Sequence, residues 1–134
     1  MSFQLLVDRA RRVIVVRFGA ALTVESLTAM RAAVRRFVET EKGYRAIVDL
    51  TAVEAANVPG HFIAELARSG PIVTGEMRIL VAPKPEVFGL SRMYELHQYS
   101  TADQTLVLRT MAEAYEALGV ESLDLEEIDA GGAA

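Results

Sequence analysis

Apolar positions along the chain fall into two rhythms. In FQLLVD (3–8), RVIVVRFG (12–19), YRAIVDL (44–50), MRILVAP (77–83) and TLVLRT (105–110) they are nearly consecutive or alternate over a few residues. Between these runs lie longer stretches in which they return every three or four residues. The first rhythm predicts strands, and the consecutive runs predict strands covered on both faces. The polar RAR segment between the first two runs predicts an antiparallel hairpin. The second rhythm predicts helices. Thr23 is placed to cap VESLTAMRAAVRRFVETEKG, in which Leu27, Met30, Val34, Phe37 and Val38 share one face and Gly43 marks the end.

Three more helices follow from the same reasoning. In TAVEAANVPGHFIAELARSG, Pro59 suits the first turn, Phe62, Ile63, Leu66 and Ala67 form the inner face, and His61, Glu65 and Arg68 point outward. In MAEAYEALG, Thr110 and Glu113 have the spacing of a capping box and Gly119 closes the helix. KPEVFGLSRMYELHQ is less regular. Gly89, Leu90, Met93, Tyr94, Leu96 and His97 occupy one arc, while Phe88 falls on the other among Ser91, Arg92, Glu95 and Gln98. The order β-β-α-β-α-β-α-β-α predicts a mostly parallel mixed sheet with an N-terminal antiparallel edge hairpin and about four helices. The pattern leaves open whether the helices cover one sheet face or both.

The order and several strings resemble a known family. VIVVRFGAALTVESL, RAIVDLTAV and MRILVAPKPEVFGLSRMYEL are similar to segments of STAS domains of the SpoIIAA-like, anti-sigma factor antagonist type, in particular the stand-alone bacterial proteins of uncharacterised function. The resemblance runs over most of residues 3–119. It implies an α/β SpoIIAA-like fold and a non-catalytic regulatory or protein-interaction module. CRAL-TRIO lipid-binding domains are distantly similar, which implies a small apolar ligand as the alternative. One departure changes the expectation. Regulatory members carry a phosphorylatable serine at the start of the helix after the central strand, and here Asn57, Val58 and Pro59 stand near that place. A phosphoserine switch is not expected.

Composition narrows the classes further. A chain of 134 residues suits one domain, and 51% apolar with 24% charged residues is the balance of a folded chain. With no cysteine there is no disulfide framework and no thiolate metal site. The N-terminal MSFQLLVDRARR reads as a strand rather than a signal, and no apolar run approaches the roughly 20 residues of a membrane helix, so the expected location is cytoplasmic. All 14 Lys and Arg precede Gly119, whereas Glu121, Asp124, Glu126, Glu127 and Asp129 follow it. The body is therefore near neutral, which gives no electrostatic case for nucleic acid. Residues 1–119 are expected to form the domain and 120–134 an acidic, partly flexible tail.

No motif calls for a cofactor, a metal or a catalytic residue. His61 and Glu65 lack a nucleophile, and Gly19, Gly60, Gly75 and Gly89 are too scattered for a phosphate loop beside Lys84. Arg31, Arg35 and Arg36 form a basic face diluted by Glu25 and Glu39, which reads as solvated or as a contact for an acidic segment. Two surfaces remain. Asp49, at the end of a central strand, either caps its own turn or forms a polar niche with Asn57 and His61. Phe88, with Arg92 one turn on and Glu95 beside it, either packs beneath its own chain or centres an interface, a homodimer foremost.

Overall fold

The structure, a computed structural model, describes residues 3–69, 73, 76–96 and 105–128. Gly75, His97, Gln98 and the C-terminal AGGAA lie outside the described residues. In chain order the elements are β1 (Phe3–Asp8), β2 (Val13–Phe18), β3 (Ala21–Thr23), α1 (Val24–Thr40), β4 (Arg45–Asp49), β5 (Ala55–Asn57), α2 (Gly60–Arg68), β6 (Arg78–Val81), α3 (Pro85–Leu96), β7 (Thr105–Leu108), α4 (Met111–Leu118) and β8 (Glu126–Ile128).

A six-stranded sheet has the order β7-β6-β4-β2-β1-β8. Strands β2, β4, β6 and β7 are parallel, β1 is antiparallel to β2, and β8 is antiparallel to β1. From β2 the chain steps always the same way, to β4, β6 and then β7. Right-handed crossovers in one direction put their helices on one face, and side chains of α1, α2 and α3 accordingly join a core with Phe3, Leu5, Ile14, Val16 and Phe18. The fourth crossover returns from β7 to β8 at the opposite edge, so α4 lies on the other face. Ala114 and Leu118 pack there on Leu6, Val13, Val15, Ile47, Ile79 and Val81. Both faces are covered, and the alternation of Ala46 and Val48 against Ile47 explains why these strands read as unbroken apolar runs.

The caps follow sequence chemistry. Thr23 and Ser26 form a reciprocal capping box on α1, and Thr110 and Glu113 do so on α4. Gly119 ends α4 in the left-handed region at φ 75°, where glycine carries no Cβ penalty. Pro59 is the N-cap of α2 and Pro85 the first residue of α3. None of the helices is long and apolar enough to cross a membrane among the described residues.

One expectation about edges needs correction. The β1–β2 hairpin is not at the sheet edge, because β8 pairs outside β1 through Leu5↔Ile128, Leu6↔Glu127 and Val7↔Glu126. The acidic segment before it docks as well: Val120, Leu123 and Leu125 pack against the α4 side of the sheet. Charge is accommodated because Glu126 and Glu127, on opposite faces of this edge strand, both stay exposed, where Glu126 meets Arg9 and Glu127 accepts from Gln4. A second, two-stranded parallel sheet pairs β3 with β5 and positions the start of α1 against the approach to α2.

Asp8 ties this segment down from inside. Its carboxylate is 1% exposed and accepts from the Asp124 N–H at 2.8 Å, the Arg11 N–H at 2.9 Å and the Arg11 guanidinium at 2.9 Å. Burial pushes the Asp8 carboxyl up, but the hydrogen bonds from Asp124 and Arg11 together outweigh it and hold it below the ordinary aspartate value. The ionised carboxylate therefore contributes stability above the unfolded-chain value of about 3.9, and that contribution is lost as pH falls through the lower folded value. In acid titrations of folding, wild type is expected to lose stability more steeply below about pH 4 than Asp8→Asn. Parallel curves would contradict this linkage.

Candidate functional site

Parallel pairing brings two transverse rows of side chains to the face beneath α1, α2 and α3. Register places Ile14, Ala46, Arg78 and Thr105 in one row, and Val16, Val48 and Leu80 in the next. Between these rows and the helices is a cavity of about 140 Å³ that opens to solvent. Met30, Arg31 and Val34 of α1, Ile63 and Leu66 of α2, and Val87, Leu90, Ser91 and Tyr94 of α3 are among its other wall residues. The lining is almost entirely apolar. Native interiors hold few voids larger than a water molecule, so an apolar recess of this size is a departure from ordinary core packing.

The α3 wall departs from the sequence reading. Val87, Leu90, Ser91 and Tyr94 face the cavity at i, i+3, i+4 and i+7, while Leu96 is 72% exposed. Treating Ser91 as polar and Leu96 as apolar rotated the expected inner arc. Serine is small enough to line a wall, and the leucine of the last turn stays exposed. Phe88, expected on the solvent side against Arg92, is half-buried and packs on the core. Arg109 supplies the cation over its ring, 4.2 Å from the centroid, and Arg92 instead pairs with Glu95 at 2.7 Å.

Two polar features line the cavity. Within the first strand row Arg78, 7% exposed, donates from Nε to Thr105 Oγ1 at 3.3 Å and from Nη1 to the Val73 carbonyl at 2.9 Å. At the mouth Arg31 is half-buried, reaches Ser69 Oγ at 3.5 Å and stands beside the Tyr94 hydroxyl.

The Asp49 niche takes a different form. Asp49 is 3% exposed, and its carboxylate accepts from the Thr51 N–H at 2.9 Å, the Thr51 hydroxyl at 2.6 Å and Arg17 Nε at 3.1 Å. These bonds close the turn after β4 and tie it to β2, and they go to neither Asn57 nor His61. Asn57 is exposed in β5, and His61 is exposed in the first turn of α2. Sequence reasoning missed Ala46, Arg78, Ser91 and Thr105 as wall residues. Their conjunction depends on strand register, and the only local hint is a charge at the start of the apolar run MRILVAP.

No protein-family model, curated protein or solved structure matches the chain.

Proposed function

We propose that the chain is a non-catalytic binding module of STAS-like architecture and that it binds a small apolar molecule in the cavity beneath α1, α2 and α3. The observation that carries this reading is the apolar cavity itself, walled by two registered rows of strand side chains. Concave, mostly apolar sites with few polar groups are where proteins hold small molecules. At about 140 Å³ the space is below that of a drug-sized pocket and comparable to one that accepts benzene. The STAS-like assignment is supported by the order of elements and the parallel strand ladder. The start of α2 works without a phosphoserine, since Asn57, Val58 and Pro59 carry no hydroxyl.

Substitution at Ala46 tests the reading. Ala46→Ile adds three carbons at the cavity wall, and at about 0.8 kcal/mol per buried methylene it is expected to stabilise the fold by roughly 2 kcal/mol. Binding of benzene or octan-1-ol, followed by methyl chemical shifts, is expected in wild type at a Kd on the order of 1 mM or tighter and to weaken at least tenfold in the variant. A wall already packed would instead be strained, at a cost of about 1–3 kcal/mol. Destabilisation together with unaltered probe binding would refute the cavity as the site.

Protein interaction through α3, with a homodimer as the first case, is the second reading. Leu96, 72% exposed on that helix, favours it. Sedimentation of wild type and Leu96→Asp distinguishes it, with a lower assembled mass in the variant as the expected result and unchanged mass as the contrary one.

A further inference from the structure

The charged groups on the cavity wall are both guanidiniums. Arg31 stands at the mouth and Arg78 within the first strand row between Ala46 and Thr105, and the described lining contains no carboxylate. A hydrocarbon ligand has no use for this one-sided charge, whereas an amphiphile with an anionic head does. Arg78 is almost fully buried, so an anion there would be stripped of water. Arg31 is half-exposed, which lets a head group keep part of its hydration while it pairs.

We propose that the ligand is a short-chain carboxylate amphiphile, with its hydrocarbon against Val16, Val48 and Leu80 and its carboxylate on Arg31 at the mouth. This rests on the apolar-cavity reading and adds the chemistry of the head group. A tail of about six to eight carbons matches a volume close to that of a benzene-binding cavity. Burial lowers the Arg31 pKa while the neighbouring Tyr94 partly offsets this, so the guanidinium is a charge that an arriving anion stabilises. The Tyr94 hydroxyl, beside Arg31, is placed to donate to the same carboxylate.

The test is calorimetric or chemical-shift titration of the full chain with octanoate and, separately, octan-1-ol at neutral pH. Octanoate is expected to bind about tenfold more tightly. Arg31→Gln is expected to remove that advantage, weakening octanoate about tenfold more than octan-1-ol, and Arg31→Lys to retain part of it. Tyr94→Phe is expected to weaken octanoate a few-fold. Equal affinity for the two probes in wild type, or an equal loss of both in Arg31→Gln with the fold intact by circular dichroism, would overturn the carboxylate proposal and leave the apolar cavity standing. Failure of both probes to bind wild type would overturn the cavity reading and this inference together.

Discussion

A chain ending at Gly119 is expected to lose about 5 kcal/mol of stability, although it removes only a strongly acidic segment. Val120, Leu123, Leu125 and Ile128 are each half-buried against the body, and half-burial of an aliphatic side chain contributes about 1 kcal/mol. Asp8 would also lose the Asp124 N–H from its buried carboxylate, a further cost of about 1 kcal/mol. Without β8 the outer edge of β1 is unpaired, and Leu6, Val13 and Val15 lose cover that α4 alone does not provide. The loss is comparable to the entire stability of many domains of this size. Urea denaturation of the two chains measures it; coincident midpoints would mean that the segment only decorates the surface.

Asp49→Ala is expected to cost about 3 kcal/mol while leaving probe affinity of the folded fraction unchanged. The carboxylate closes the turn after β4 through Thr51 and receives Arg17 from β2; because Thr51 and Arg17 reach solvent and can rehydrate, the loss is set at about that of one hydrogen bond to a charged group at the upper end of its range of about 1.5–3 kcal/mol. Asp49→Asn keeps an acceptor oxygen and is expected to fall between. Chemical denaturation gives the stability, and titration with octan-1-ol gives the affinity. An Asp49→Ala protein of native stability that no longer bound the probe would make Asp49 a ligand group rather than a turn cap.

The parts of the fold legible in the sequence are those with enough residues to show a period. The stripe Leu27, Val34, Phe37 in α1, the boxes at Thr23 and Thr110, and the runs that became β2, β4 and β6 all carry their local reason in the chain. Strands of three residues show no period, so β3, β5 and β8 went unseen, and β8 was further disguised by Glu126 and Glu127. Asp49 was readable as a cap because its partner Thr51 is two residues away. The cavity was not readable. Ala46, Arg78 and Thr105 are neighbours only through register, and the rotation of α3 that brings Ser91 inward is set by packing on that row rather than by its weak polar pattern.

The most direct measurement is of where a bound probe lies. Nuclear Overhauser contacts between octan-1-ol and the methyl-labelled protein report distances within a few ångströms of the ligand. Contacts are expected to the methyls of Val16, Val48, Leu80 and Leu90, from the two strand rows and from α3. Contacts confined to Leu96 and Leu106, the exposed large apolar side chains among the described residues, would place the probe on the surface and contradict the cavity as the binding site.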